Sequence, residues 1–133
     1  MDDCLFCKII KGEIPCHKVY ENEKFLAFLD INPINEGHTL IIPKKHSEYV
    51  FDLSDKEYSE LFLEAKNIAK YLKKATNAKR IGIIVEGFAV PHTHIHLVPL
   101  TQGNQLNPLM AKAGDPELLV KIADKIKEEI NKK

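Results

Sequence analysis

An excess of charge of either sign, a long apolar run and a cysteine framework are all missing from this chain. Its 133 residues carry 19 basic and 19 acidic side chains, so the overall field recommends neither a nucleic-acid surface nor an electrostatic membrane anchor. No apolar run approaches the roughly 18 residues that span a bilayer, and the N-terminus lacks the basic-then-apolar pattern of a signal peptide. A cytoplasmic protein without a membrane partner is expected. Three cysteines, Cys4, Cys7 and Cys16, are an odd number in a reducing compartment and argue against a disulfide framework. Internal repeats and low-complexity segments are absent too. The length suits one compact domain over 1–133, large enough to bury a core without disulfides.

What the chain has is a cluster of imidazoles. Three of its six histidines fall within Pro91-His92-Thr93-His94-Ile95-His96-Leu97-Val98-Pro99. Read as an extended strand, this stretch puts His92, His94 and His96 on one face and Thr93, Ile95 and Leu97 on the other. Three readings of the histidine face compete. The rings hydrogen-bond structurally; or a His-x-His pair chelates a catalytic metal with His38 or His96 as third ligand; or His94 is a nucleophile for phosphorus, with its neighbours supplying hydrogen bonds and a proton. The Cys4-x-x-Cys7 pair is likewise open to half a zinc site, a redox pair or two buried thiols. A thioredoxin-like redox pair normally follows a strand, and no strand can precede Cys4.

Periodicity organises the rest. Phe6, Ile9 and Ile10 before Gly12 predict a short N-terminal helix. Val19-Tyr20 and Phe25–Leu29 predict a hairpin around Glu21-Asn22-Glu23-Lys24, and His38–Pro43 a further strand. Ser54 or Asp55 caps a long helix running to about Lys74, with Leu61, Phe62, Ala65, Ile68, Ala69 and Leu72 as its apolar side. Its lysines read as solvated helix charge. Arg80–Glu86 predicts a strand antiparallel to the histidine stretch. Thr101–Gly114 reads as a flap or a partner-binding arm, and Asp115 with Pro116 opens a final helix.

Several ordered motifs resemble the histidine triad (HIT) nucleotide hydrolases and transferases. They are Cys4–Ile10, Gly12-Glu13-Ile14-Pro15, Leu26–Ile31, Gly37–His46 and the histidine stretch. The resemblance implies an α+β, HIT-like fold: an antiparallel sheet of about five strands with one long helix, a short N-terminal helix and a C-terminal helix, 101–133 being a C-terminal extension. It also implies a homodimer acting on a purine nucleotide. His94 matches the nucleophile that attacks the α-phosphate, and His96 and His38 match residues that contact the phosphate or help the leaving group. Asp30 matches the ribose-binding acid; Ile9, Ile14, Phe28 and Ile31 match positions around the base. The zinc-containing branch implies a structural zinc held by Cys4, Cys7, His46 and His92.

The implied activity is cleavage of nucleoside phosphoramidates or dinucleoside polyphosphates through a nucleotidyl-histidine, releasing a nucleoside monophosphate. The alternative is a zinc-stabilised nucleotide-binding or adaptor module with little turnover. Two departures from the family pattern support that alternative: Val85 stands where many members have Asn, and Gly87-Phe88-Ala89-Val90-Pro91 is shorter than their glycine-rich loop and offers no side-chain donor.

Overall fold

The computed structural model describes residues 3–132. Its order is α1 Leu5–Ile10, β1 Lys18–Glu21, β2 Phe25–Leu29, β3 Thr39–Pro43, α2 Asp55–Thr76, β4 Arg80–Ile84, β5 Ile95–Leu100 and α3 Pro116–Lys132, with single 3-10 turns at Val50–Asp52 and Pro108–Met110. The five strands form one antiparallel sheet ordered β1-β2-β3-β5-β4, so the fold is α+β with the expected helices. Asn22 closes the first hairpin without a glycine: its Oδ1 accepts from the N–H groups of Lys24 and Phe25, each at 2.9 Å.

One sheet face is covered by α2 and α3. Ser54 opens α2 with a capping box, its Oγ accepting from the Glu57 N–H and the Glu57 carboxylate accepting from the Ser54 N–H, both at 3.1 Å. The helix runs past Lys74 to Thr76 and stops where Asn77 turns left-handed at φ 56°. It buries Leu61, Ala65, Ile68 and Leu72 against Ala27, Leu29, Ile41, Ile95 and Leu97. Burying one such Leu or Ile completely stabilises the fold by about 1.5–3 kcal/mol. The last helix shares this core through Leu119, Ile122, Ala123, Ile126 and Ile130. The segment before it is docked, with the Lys112 and Gly114 N–H groups donating to the Pro33 and Ile31 carbonyls at 3.3 and 2.7 Å.

The opposite face carries Leu26, Phe28, Leu40 and Ile42 under Cys4 and Phe6 from the α1 region. Here the expectation of a continuous histidine strand needs correction. β5 begins only at Ile95; His92 lies in a bend, its N–H donating to the Val90 carbonyl at 2.8 Å, and His94 in the irregular stretch that leads into the strand. The reason is Pro43. Ile41 pairs with Ile95, so the next ladder position would set Pro43 against Thr93, and proline has no N–H to donate. The Thr93 N–H turns to the Ser47 carbonyl instead, at 2.6 Å. β4 also stops early, at Ile84, leaving Val85 and Glu86 outside the ladder.

Candidate active site

Five of the six histidines form a row along this second face. His46 and His92 have ring centroids 5.0 Å apart, His94 and His96 4.9 Å, and His96 and His38 5.2 Å. Phe6 bridges the gap, standing edge-on to His92 at 5.9 Å and to His94 at 5.0 Å. It is 4% exposed. The helical periodicity of Cys4–Ile10 marks Phe6 as core but says nothing of its place between two imidazoles.

Backbone groups assign the tautomers, because an amide N–H only donates and a carbonyl only accepts. His94 Nδ1 lies 2.6 Å from the His92 carbonyl, so it donates there and Nε2 keeps a bare lone pair. His92 Nε2 donates to the Pro43 carbonyl at 2.8 Å, which leaves Nδ1 bare. That Nδ1 faces Cys4 Sγ at 3.3 Å and Cys7 Sγ at 3.6 Å. At the other end of the row the Ile34 N–H donates to His38 Nδ1 at 3.0 Å, which puts the His38 ring proton on Nε2. His38 Nε2 then donates to His96 Nδ1 at 2.9 Å, and the His96 proton is left on Nε2. Both nitrogens of buried His38 are therefore engaged within the protein. Asp30 stands beside this pair, its Oδ2 3.6 Å from His38 Nε2 and 4.0 Å from His96 Nδ1, while its Oδ1 accepts from the Asn32 N–H at 2.8 Å.

The rings are held neutral. Burial lowers the pKa of His38 and of His94 against the pull of Asp30, and lowers that of His96 to about 4, with His94 and His38 adding to the last shift. A ring whose folded pKa lies below its unfolded value of about 6.5 is neutral in the fold while the unfolded chain already binds a proton. The stability these rings contribute is complete above about 6.5 and is lost as the pH falls toward about 4. Denaturant midpoints are expected to be lower at pH 4.5 than at pH 7; His96→Gln is expected to narrow that difference.

Cys4, Cys7, His46 and His92 bring one donor atom each within 4.8 Å of the others. The S···N separations are 3.2 Å for Cys7–His46 and 3.3 and 3.6 Å for His92. A tetrahedral zinc with Zn–S near 2.3 Å and Zn–N near 2.0–2.1 Å requires about 3.5 Å. The donor set fits a closed zinc site. Burial and the neighbouring Cys4 raise the Cys7 pKa, so metal binding is coupled to proton release.

Asp30, His38 and His96 also converge within 4.8 Å. There the Ile34 N–H keeps the proton on His38 Nε2, so that nitrogen is not free to ligate. Among the described residues His92, His94 and His96 do not converge as a ligand set, which removes the geometry needed for a catalytic zinc on the triad.

The expected base-contacting residues divide. Phe28 is 4% exposed and packs edge-on against Phe6 at 5.6 Å, with Ile9 at the margin of the same cluster. Ile31 is 60% exposed in the loop after β2. Ile14 is half-buried between α1 and β1. Val85 packs against the helix-side core, on the face away from the imidazoles. The chain then turns at Gly87, where φ is +89° and a Cβ would lie 3.2 Å from the Glu48 carbonyl oxygen.

Residues 11–103 match the sequence profile of the HIT domain. The chain is 38% identical to the adenosine 5'-monophosphoramidase HNT1 of Candida albicans over 97% of its own length and 92% of that protein's. A Hit-like protein of Bartonella henselae superposes with a TM-score of 0.85 at 33% identity, covering 97% of this chain and 98% of the other. A Zn-bound histidine triad family protein of Mycobacterium smegmatis superposes with a TM-score of 0.83 at 28% identity, covering 97% and 94%. With its imidazole row, its sheet order and these matches in agreement, the chain belongs to the HIT domain family.

Proposed function

We propose that the protein is a nucleotide hydrolase or transferase that cleaves at the α-phosphorus of nucleoside phosphoramidates or dinucleoside polyphosphates. The observation that carries this reading is the bare Nε2 of His94, held unprotonated by the Nδ1–H bond to the His92 carbonyl at 2.6 Å. A neutral imidazole with its lone pair fixed in direction is a nucleophile that needs no separate base. Nε2 attacks the α-phosphorus, the P–N or P–O bond to the leaving group breaks, and water then hydrolyses the nucleotidyl-His94 to release the monophosphate and restore the ring. His96 presents Nε2–H as a donor to the phosphoryl oxygens or the leaving atom. His38 acts through His96, holding it in the donor tautomer. Asp30 keeps Oδ2 for the ribose hydroxyls. Ile9, Ile14, Phe28 and Ile31 hold a purine base, the similarity to an adenosine 5'-monophosphoramidase supporting that choice.

In the same reading Cys4, Cys7, His46 and His92 hold a structural zinc, for which the Zn-bound relative gives further support. Bound there, zinc supplies a closed cross-link between α1 and the histidine segment, and no step of catalysis. Residues 1–133 act as one HIT domain in the cytoplasm. β4 is the sheet's free edge next to β5, and its Ile83 is 49% exposed. An exposed apolar edge of this kind suits antiparallel pairing with a second copy, giving a homodimer with a joined sheet.

His38→Ala is expected to lower kcat by about 10²–10³-fold with little change in KM, because it frees His96 to take the wrong tautomer. Steady-state kinetics on the folded variant checks this. The test of the function itself is product analysis with adenosine 5'-phosphoramidate and a dinucleoside polyphosphate. AMP is the expected product. Tight AMP binding without turnover of either substrate overturns the hydrolase reading and leaves the binding module, which Val85 and the absence of a side-chain donor from the loop at 87–91 favour.

A further inference from the structure

We infer that Ser47 and Thr93 are positioning residues for His94: together they hold the one peptide plane that sets which nitrogen of the His94 ring is bare. The His94 Nδ1–H donates to the His92 carbonyl at 2.6 Å. That carbonyl and the Thr93 N–H belong to the same peptide unit, which is planar and trans, so the two groups point in opposite directions and turn together. The Thr93 N–H donates to the Ser47 carbonyl at 2.6 Å. One rigid plane therefore links Ser47 to the His94 ring, with a hydrogen bond at either end. An amide whose N–H is engaged is polarised and accepts more strongly at its oxygen, so the bond to Ser47 both aims and strengthens the contact to His94.

A second bond locks the first. The Ser47 Oγ–H donates to Thr93 Oγ1 at 2.9 Å, and Thr93 is 2% exposed. A buried hydroxyl without a partner is destabilising, and valine would fill the same volume with no polar group to satisfy. What threonine adds is a grip on Ser47. A single hydrogen bond leaves the peptide free to tilt about it; two between the same residues, one from the backbone and one from the side chain, fix the tilt.

The other contacts of this loop act elsewhere. His46, next to Ser47, places its Nδ1 3.2 Å from Cys7 Sγ, and the Pro43 carbonyl accepts from His92 Nε2 at 2.8 Å. Those contacts orient the rings of His46 and His92, whereas the peptide between His92 and Thr93 is held from Ser47. The effect on catalysis rests on the proposed attack of His94 on phosphorus. The tautomer of the ring does not.

The test reads the two separately on the full chain. Imidazole nitrogen shifts from proton–nitrogen correlation spectra near neutral pH, without substrate, report the tautomer of His94. Single-turnover kinetics with adenosine 5'-phosphoramidate report its reactivity. Wild type is expected to carry the His94 proton on Nδ1. Thr93→Val and Ser47→Ala are each expected to move part of the population to Nε2–H and to slow adduct formation by about five- to tenfold, the effect of one oriented hydrogen bond, with substrate affinity unchanged. The double variant is expected to be no slower than either single one. Thr93→Ser, which keeps the hydroxyl, is expected to retain the Nδ1–H tautomer. Ser47 is half-buried in a loop, so Ser47→Ala reads the same bond without disturbing the core. The wild-type tautomer in both Thr93→Val and Ser47→Ala overturns the inference whether or not the rate falls. So does an Nε2–H ring in wild type, or a shifted tautomer with an unchanged rate. If wild type turns over no substrate while the tautomer shifts as expected, the proposed chemistry fails and the clamp stands.

Discussion

His94→Ala is expected to lower turnover by about 10⁴-fold or more, since removing a covalent nucleophile abolishes the pathway and leaves only what binding and neighbouring donors provide. KM is expected to change much less, because the proposed contacts to ribose and base come from Asp30 and the apolar positions. His94 is 4% exposed and touches Phe6, so alanine also leaves a cavity. His94→Gln restores most of the volume and polarity without a ring lone pair. It is expected to fold like wild type by circular dichroism and thermal melting while being as inactive as His94→Ala. A catalytic-metal mechanism makes a different forecast: brief chelation would stop turnover in wild type, whereas a nucleophilic His94 continues to work until the fold itself loosens.

The second large effect concerns Cys4 and Cys7. On the proposed zinc site, Cys4→Ser/Cys7→Ser is expected to abolish metal binding and to remove the stabilisation that binding would give, about 4 kcal/mol at free metal a thousandfold above Kd. The damage should be local first. α1 has six residues, too few to stand alone in water, and Cys4 Sγ both caps it by accepting from the Cys7 N–H at 3.4 Å and contacts His92. Amide exchange is therefore expected to speed up at residues 5–10 and 92–94, while α2 and α3 keep their protection. Since Phe6 rides on α1 against His94, catalysis falls as well. The readouts are metal content, melting temperature and residue-resolved exchange.

Much of this was legible in the chain because it depends on side-chain type and spacing. The apolar stripe and Ser54-x-x-Glu57 define α2, and Asp115-Pro116 opens α3. The ordered motifs around His38, His46 and His92–His96 indicate one face of imidazoles. What could not be read depends on backbone groups that every residue carries. The Ile34 N–H and the carbonyls of His92 and Pro43 decide which nitrogen of each ring is bare. With them His38 becomes the group that orients His96, both of its own nitrogens being engaged. The late start of β5 needed the register as well as the sequence: Pro43 matters only because it falls opposite Thr93. The Thr101–Gly114 segment reads as a flap or an arm, and only the hydrogen bonds to Ile31 and Pro33 show that it is docked.

The most direct test of the central claim is intact-protein and peptide mass spectrometry after a rapid, acid-free quench of a single turnover of adenosine 5'-phosphoramidate. A nucleophilic His94 gives an AMP adduct in wild type that maps to the peptide containing His94, appears before free AMP and is absent from His94→Gln. AMP released at the normal rate with no adduct at any time, or an adduct that persists in His94→Gln, contradicts it.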